Sequence, residues 1–230
     1  MSPRIGSGTA GSWSDRLWRE IEPTFAAILD HPFPAGLVDG TLAEDVFAQY
    51  VAQDVHYLRE YARALAIVSA KAPTLADTAM FARHAAEVYD VELSLHNALL
   101  PELGLDATTL ESVPASPTTL AYTSYLLATA YGGTFADGLA AILPCYWIYA
   151  EVGAELRERG SADHRYQLWI DSYGGDDYAA TVAEVLDLTD RIGPTLTPTE
   201  EAVARAHFVT TARYEWMFFD AAHRREGWPV

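Results

Sequence analysis

Apolar residues recur every three or four positions along most of the chain, which is the spacing of one face of an α-helix. The first such stripe follows Ser12 and consists of Leu17, Ile21, Phe25 and Ile28. No segment bounded by turn residues alternates apolar and polar positions with the two-residue period of a β-strand. The sequence therefore predicts an all-α protein, a single-domain bundle of eight or so helices without an internal repeat.

Boxes of the form Ser/Thr-x-x-Asp/Glu mark the predicted helix starts, because the two side chains can cap each other's backbone N–H groups. They lie at Ser12–Asp15, Thr41–Glu44, Thr74–Asp77, Thr134–Asp137 and Thr197–Glu200. His31-Pro-Phe-Pro34, followed by Gly36 and Gly40, predicts the end of the first helix and a turn. The proline-containing segment Pro101–Pro117 is predicted to be a loop.

The predicted helix after Thr134 contains the only cysteine of the chain, Cys145. Pro144 precedes it, and a proline inside a helix removes a backbone donor, so a kink is predicted at the thiol. Cys145 and Tyr149 are four positions apart and therefore share a helix face. This window alone permits two interpretations, a nucleophile on the floor of an active site and a buried small hydrophobic residue.

Two carboxylates lie in strongly apolar or aromatic helical segments. Asp54 lies midway along an amphipathic helix, and because a buried carboxylate must be paired or hydrogen-bonded, it either stabilises local structure or binds a ligand. Glu215 lies inside Tyr214-Glu-Trp216, where desolvation should raise its pKa and suit it to acid–base catalysis near neutral pH. The alternative for Glu215 is a surface ion pair with Arg213 or Arg224.

The composition limits the function further. A net charge of −17 argues against nucleic acids and anionic membranes as partners and is compatible with a small cationic substrate or with solubility alone. The single cysteine excludes an intrachain disulfide and fits the cytoplasm, and no run approaches the ~18 apolar residues of a membrane span. Lys71 is the only lysine, which argues against Schiff-base chemistry. Residues 1–12 are predicted to be a flexible tail rather than a signal peptide, and residues 13–230 one all-helical domain.

A series of short motifs in a fixed order runs from about Leu17 to Pro229. They are His31-Pro-Phe, Asp39-Gly-Thr-Leu, Tyr50-Val-Ala-Gln-Asp54, Tyr57-Leu58, Tyr122-Thr-Ser, Leu143-Pro-Cys-Tyr-Trp-Ile-Tyr149, Glu151-Val-Gly153, Trp169-Ile-x-x-Tyr173-Gly-Gly175, Tyr214-Glu215, Phe218 and Arg225-Glu-Gly-Trp228. Together they resemble the TenA family, also called thiaminase II or aminopyrimidine aminohydrolase. The resemblance implies a haem-oxygenase-like all-α fold, assembly as a homotetramer, and neither a cofactor nor a metal.

The resemblance also implies roles for individual residues. Cys145 corresponds to the nucleophile, Glu215 to the acid–base glutamate of the last helix, and Asp54 to the aspartate that holds the aminopyrimidine edge. The implied pocket aromatics are Tyr57, Tyr122, Tyr149, Tyr173 and Phe218. His56 stands where the family pattern has a tyrosine, next to the pocket.

The implied reaction is a covalent displacement on a pyrimidine. A carboxylic acid protonates the ring, the Cys145 thiolate adds to it, and the substituent on the exocyclic methylene leaves as ammonia or a thiazole. Water then adds to the methylene and Cys145 leaves, giving hydroxymethylpyrimidine. No basic residue adjoins Cys145 in sequence, so the substrate or Glu215 is expected to help remove the proton of the thiol. The expected substrates are aminomethylpyrimidine and thiamine, and the sequence does not rank them.

Two other functions are compatible with the same fold class. A non-haem di-iron oxidase would bind metal through Glu and His on facing helices, with Glu92/His96, Glu87/His84 and Asp220/His223 as candidate ligands. A salt-bridged or solvated Glu92/His96 pair is the commoner arrangement. A non-catalytic pyrimidine-binding or partner-binding relative is the third hypothesis. A haem oxygenase would need a basic patch for the haem propionates, which this acidic chain lacks.

Overall fold

The computed structural model describes residue 5 and residues 10–102 and 112–230, with the backbone alone over 89–101. Its helices are α1 (Trp13–Leu29), α2 (Pro32–Asp39), α3 (Glu44–Lys71), α4 (Leu75–Glu102), α5 (Pro117–Gly132), α6 (Phe135–Arg159), α7 (His164–Tyr173), α8 (Asp176–Ile192) and α9 (Pro198–His223). A single 3₁₀ turn, Gly193–Thr195, precedes α9. These ranges contain no β-strand, so the all-α prediction is confirmed.

Most predicted helix starts are confirmed by their side-chain caps. The Ser12 hydroxyl accepts the N–H of Asp15, and the Thr74 hydroxyl accepts the N–H of Asp77. At α6 and α9 both halves of the capping box form, so Thr134–Asp137 and Thr197–Glu200 each satisfy two backbone donors. These local bonds fix where the helices begin before any long-range contact is considered.

Two predictions between α1 and α3 are wrong. The segment predicted as a turn contains α2, because His31 Nδ1 accepts the N–H of Phe33 and a proline occupies the first helical position. The Thr41–Glu44 box does not form, and α3 begins at Glu44 without a side-chain cap. The N–H groups of Thr41 and Leu42 instead donate to the carbonyl of Gly36, so these residues close the end of α2.

Helices occupy both ends of the segment Pro101–Pro117, which was predicted to be a loop. Helix α4 continues through Glu102, and α5 begins at Pro117 with Ser116 as its cap. Residues 103–111 lie outside the described residues, as do residues 1–4 and 6–9 of the predicted tail. The backbone N–H of Ile5 donates to Glu151 Oε1 at 2.8 Å.

Helix α6 is the centre of the bundle. It packs against α3, α5, α7, α8 and α9, and almost every residue from Ala136 to Val152 is buried. By length and composition α6 could cross a membrane, the one such helix in the described residues, but 83% of its most apolar window is buried inside the protein. The hydropathy of α6 therefore fits a core helix. It continues through Pro144, and the predicted kink there stays a prediction.

The crossing of α6 and α7 depends on glycines at the point of closest approach. A Cβ atom at Gly153 would lie 2.5 Å from the carbonyl carbon of Tyr173 and 2.6 Å from the nitrogen of Gly174. Gly153→Ala is therefore expected to lower the unfolding free energy by about 1–3 kcal/mol through overpacking, measured by urea denaturation.

The matched control is Gly132→Ala, where an added Cβ meets no heavy atom within 4 Å. This helical substitution should leave stability unchanged or raise it by about 0.5–1 kcal/mol. Equal unfolding free energies for Gly153→Ala and the unmodified protein would contradict the close-approach explanation.

Candidate active site

Helices α3, α4, α6, α7 and α8 enclose a cavity of about 130 Å³. Its lining residues are Asp54, Tyr57, Leu58, Tyr61, His84, Glu87, Val88, Cys145, Tyr146, Tyr149, Tyr173, Tyr178 and Thr181. The inner wall is buried, and the partly exposed lining residues mark the mouth: Leu58, Glu87, Val88, Tyr173, Tyr178 and Thr181. Of the predicted site residues, Asp54, Tyr57, Cys145, Tyr149 and Tyr173 face this cavity.

Cys145 lies on the cavity wall with 8% of its surface exposed. Burial, and next the nearby carboxyl of Glu215, raise the pKa of the thiol well above its ordinary value of 9.0. The nearby hydroxyls of Tyr57 and Tyr61 on α3 favour its thiolate and so lower the pKa of the thiol, but less than burial raises it. At neutral pH the thiol is therefore protonated, and attack by its sulfur requires a base.

Glu215 of α9 lies behind the cavity wall and is 1% exposed. The Tyr122 hydroxyl donates to its Oε1 atom at 2.5 Å, and the Tyr57 hydroxyl donates to Tyr122 at 3.3 Å. Burial raises the pKa of Glu215 to about 8, and the charge of Asp54 adds to this. This is the direction predicted from the sequence, and the alternative of a surface ion pair is wrong because Glu215 is buried and Arg224 binds Asp220.

A hydrogen-bonded chain thus runs from Tyr57, which lies on the cavity wall with Cys145, through Tyr122 to Glu215. Because the Tyr122 hydroxyl hydrogen lies on Oε1, the proton of the neutral Glu215 carboxyl is held on its other oxygen, Oε2. That oxygen can donate a proton while the chain stays intact.

Asp54 is 4% exposed and lies on the cavity wall one position after Gln53. Gln53 fixes this part of α3, because its amide bonds the carbonyl of Pro114 and the N–H of Ser116. The charge of Asp54 raises the pKa of surrounding groups, including Cys145 and Glu215. A carboxylate in this position favours a cationic ligand in the cavity.

The predicted aromatic residues form one continuous cluster. The Tyr50 hydroxyl donates to Tyr149 at 3.1 Å, and the rings of Tyr149 and Tyr173 are 4.9 Å apart. Phe218 lies behind the wall, with its ring 5.6 Å from those of both Tyr50 and Tyr57. The structure therefore brings all the predicted site residues together, five of them on the cavity and Tyr122, Glu215 and Phe218 behind it.

The other cavity residues were not predicted to form the pocket, and Tyr61, Tyr146, Tyr178 and His84 are the aromatic ones among them. Tyr61 follows Tyr57 by one helical turn, and this spacing was an available signal. His84 was considered only as a metal ligand, but its Nδ1 atom lies 3.0 Å from the Tyr146 hydroxyl. His56, one residue before Tyr57, points away from the cavity lining and bonds the carbonyl of Val113 at 2.7 Å.

The candidate iron ligands are dispersed. Among the residues whose side chains the structure describes, no three His, Cys, Asp or Glu side chains converge on one point. Asp220 faces His31 at 3.6 Å and Arg224 at 2.7 Å. The side chains of Glu92 and His96 lie outside the described residues.

Comparisons with known proteins identify the family of the chain. The sequence profile of the TENA/THI-4/PQQC family matches residues 18–225. The aminopyrimidine aminohydrolase of Bacillus subtilis is 37% identical over 198 residues, which are 86% of this chain and 84% of that protein. The thiamine biosynthesis multifunctional protein ThiED of Corynebacterium efficiens is 38% identical over 228 residues, or 99% of this chain, and this chain spans only 30% of its length.

Solved structures agree on the fold. The TenA homologue of P. horikoshii superimposes with a TM-score of 0.85 at 31% identity, over 93% of this chain and 99% of that one. A domain of unknown function with a heme oxygenase-like fold from Shewanella denitrificans gives 0.72 at 17% identity, over 91% of both chains, which supports the haem-oxygenase-like fold alone. With the family profile and relatives above 30% identity covering most of its length, the chain belongs to the TENA/THI-4/PQQC family.

Proposed function

We propose that this chain is a hydrolase of thiamine salvage. It converts 4-amino-5-aminomethyl-2-methylpyrimidine, thiamine or both, with water, to 4-amino-5-hydroxymethyl-2-methylpyrimidine plus ammonia or hydroxyethylthiazole. The observation that carries the proposal is that Cys145 shares the cavity wall with Asp54 and Tyr57, and that Tyr57 is hydrogen-bonded through Tyr122 to the neutral, buried Glu215. The nucleophile and the carboxylate that attracts cations face one aromatic cavity, and the acid lies directly behind its wall.

The acid is suited to activate a pyrimidine. Because the pKa of Glu215 is about 8, the carboxyl holds its proton at neutral pH and can give it to a ring nitrogen. Protonation makes the ring electrophilic, and Cys145 adds to it as the thiolate. The C–N bond of the methylene substituent then breaks with its electron pair on the departing nitrogen. Water bonds to the methylene, loses a proton, and Cys145 leaves with the electrons of its C–S bond.

The cavity selects for a flat cation. Tyr149 and Tyr173 supply ring faces, which attract an ammonium or thiazolium group by cation–π contact. Asp54 adds a negative charge on the wall, and its carboxylate oxygens accept the hydrogen bonds of an aminopyrimidine edge. We assign substrate holding to Tyr57, Tyr122, Tyr149, Tyr173 and Phe218, and catalysis to Cys145, Glu215 and Asp54.

We also propose that the enzyme is a cytoplasmic homotetramer without nucleic-acid or membrane partners. The net charge of −17 and the single unpaired Cys145 support the absence of these partners and a reducing compartment. The resemblance to TenA proteins supports the tetramer. Size-exclusion chromatography with light scattering measures the molar mass of the assembly, and the mass of one or two chains would exclude a tetramer.

The decisive experiment is turnover by the purified protein in the presence of a metal chelator. Aminomethylpyrimidine and thiamine are supplied separately, and ammonia and hydroxymethylpyrimidine are measured. We expect hydroxymethylpyrimidine from at least one substrate, and the ratio of the two kcat/KM values gives the preference. If folded protein turns over neither, the proposal is wrong, and bound iron should then be assayed to test the oxidase hypothesis.

A further inference from the structure

The C-terminal segment, residues 225–228, follows α9 and leads to the beginning of α5. The Oε2 atom of Glu226 accepts the N–H of Thr118 at 2.8 Å. The indole N–H of Trp228 donates to the carbonyl of Ala115 at 2.9 Å. These two bonds join the C-terminal segment to the first turn of α5 and to the residues just before it.

The end of α9 turns the chain towards α5. The N–H of Glu226 donates to the carbonyl of Ala221 at 2.8 Å. The N–H of Arg225 donates to the carbonyl of Ala222 at 2.9 Å, and these two bonds form a Schellman motif. Arg225 occupies the left-handed position of the motif with a φ of 52°, the one residue other than glycine with a positive φ in the part of the chain that the structure describes. Its ion pair with Asp45 of α3 stabilises this unfavourable conformation, which directs Glu226 to α5.

Tyr122 lies on α5 one helical turn after Thr118, so the two side chains share a face of the helix. The Tyr122 hydroxyl donates to Glu215 at 2.5 Å and accepts from Tyr57 at 3.3 Å. Because one turn spans only about 5 Å of the helix axis, a displacement of Thr118 also moves the Tyr122 hydroxyl.

Other contacts at the beginning of α5 do not replace the bond from Glu226. Gln53 of α3 accepts the N–H of Ser116 at 2.8 Å, and the Ser116 hydroxyl accepts the N–H of Thr119 at 3.2 Å. The N–H of Thr118 lies between these two donors and has Glu226 as its acceptor. The first turn of α5 is therefore fixed from α3 on one side and from the C-terminal segment on the other.

We propose that Glu226 is a positioning residue, which holds the Tyr122 hydroxyl on Glu215 by fixing the first turn of α5. Glu226 is not among the residues that line the cavity, so it acts through the helix and not on the substrate. The inference rests on the proposed function, in which Glu215 is the acid, and it names a residue outside the cavity on which that acid depends.

Removal of the Glu226 carboxylate should loosen the first turn of α5. The N–H of Thr118 would lose its acceptor, and the positive end of the helix would lose a negative group. The bond from Tyr122 to Glu215 should then weaken. Burial raises the pKa of Glu215 to about 8, and the bond from Tyr122 limits this rise, so a weaker bond should raise the pKa further.

The direction of this change distinguishes positioning from a direct charge effect. Loss of a nearby negative charge would lower the pKa of Glu215, whereas loss of the Tyr122 bond raises it. The titratable groups around Glu215 are the same in the variant and in the unmodified protein. They are Asp54, Tyr50 and Tyr57 of α3, Tyr122 of α5, Cys145 and Tyr149 of α6, Tyr173 of α7 and Tyr178 of α8.

The test is an infrared titration of Glu226→Ala and of the unmodified protein, without any substrate. Carboxyl groups of ordinary pKa are ionised at pH 7 and above, so the C=O band of a neutral carboxyl reports Glu215, and Glu215→Gln should lack this band. We expect its midpoint to move from about pH 8 upwards by at least about half a pH unit in Glu226→Ala. Glu226→Gln keeps an oxygen that can accept from Thr118, and it should restore the midpoint.

The matched control is Glu200→Ala. Glu200 Oε2 accepts the N–H of Thr197 at 2.8 Å at the beginning of α9, so this variant also loses a carboxylate that caps a helix. Glu200 lies about 22 Å along α9 from Glu215, and the midpoint should therefore stay unchanged.

Trp228→Phe decides the matter if Glu226→Ala does not fold. Phenylalanine keeps an aromatic ring but removes the donor to the carbonyl of Ala115, so the midpoint should again move upwards.

An unchanged or lower midpoint in folded Glu226→Ala, or in folded Trp228→Phe if it is the one that folds, would overturn the proposal. Because the titration needs no pyrimidine, the two proposals fail separately. An unchanged midpoint in a protein that hydrolyses aminomethylpyrimidine or thiamine would refute the positioning role alone. A raised midpoint in a protein that hydrolyses neither would support the positioning role and refute the proposed function.

Discussion

Cys145→Ser is expected to lower the turnover of both pyrimidine substrates by about 10³-fold or more. Serine fits the site, since its hydroxyl is no larger than the thiol and stays polar beside the hydroxyls of Tyr57 and Tyr61. An alcohol, however, ionises far less readily than a thiol, and it is a weaker nucleophile towards a pyrimidine ring. The loss should therefore appear in kcat while the cavity keeps its shape.

Two measurements separate lost chemistry from lost binding. Hydroxymethylpyrimidine, the proposed product, should bind Cys145→Ser about as tightly as it binds the unmodified enzyme, as followed by quenching of the tyrosine and tryptophan fluorescence. Intact mass after a rapid acid quench should show a pyrimidine adduct on the unmodified enzyme and none on the variant. Retention of more than a tenth of the activity in Cys145→Ser would exclude Cys145 as the nucleophile.

The sequence predicted those parts of the fold that short-range bonds determine. The boxes beginning at Thr134 and Thr197 form as predicted, because the groups that cap each helix are three residues apart. The box at Thr41 has the same sequence pattern but does not form. The N–H groups of Thr41 and Leu42 instead donate to the carbonyl of Gly36 at the end of α2. Two competing local bonds have similar strength, and the outcome depends on how α2 packs.

The site was predicted unevenly for a related reason. Cys145, Asp54 and Glu215 stand out because each is a chemically unusual residue in an apolar helix. His84 carries no such signal, since its partners Tyr146 and Glu184 are distant in sequence and meet it only where helices cross. Spacing along one helix identifies residues that share a face, whereas contacts between helices need the fold.

Glu215→Gln is expected to lower turnover at pH 7 by about 10³-fold. Glutamine keeps the oxygen that accepts from Tyr122, so the hydrogen-bonded chain to Tyr57 can persist, but it has no acidic proton to give to a ring nitrogen. The unmodified enzyme should lose activity as pH rises through about 8, where Glu215 ionises. Glu215→Gln should lack that limb of the pH profile in its residual activity.

The control for this substitution lies on the same helix. Glu201 of α9 pairs with Arg16 at 2.9 Å on the surface, and Glu201→Gln should keep both the rate and the pH profile. A residual activity above about a tenth in Glu215→Gln would assign the ring proton to another donor.

Glu215→Gln should also change how stability depends on pH, because Glu215 binds its proton more tightly in the folded state than in the unfolded state. Unfolded, the Glu215 carboxyl has its ordinary pKa of 4.5, and folded it has a pKa of about 8, so between these values the folded state binds more protons. Well below pH 4.5 the carboxyl is protonated in both states, and its contribution to stability does not vary with pH. As the pH rises from there to 8, the carboxyl ionises in the unfolded state first, and the free energy of unfolding falls by on the order of 4 kcal/mol.

Glutamine does not ionise, and therefore Glu215→Gln should escape this loss. The difference in unfolding free energy between variant and unmodified protein should grow in favour of the variant from pH 5 to pH 8, as measured by urea denaturation at each pH. Other titrating groups cancel in that difference because both proteins share them. A difference that stays constant with pH would mean that Glu215 is ionised in the folded protein at neutral pH. Its assignment as the acid would then be wrong, whatever the activity of the variant.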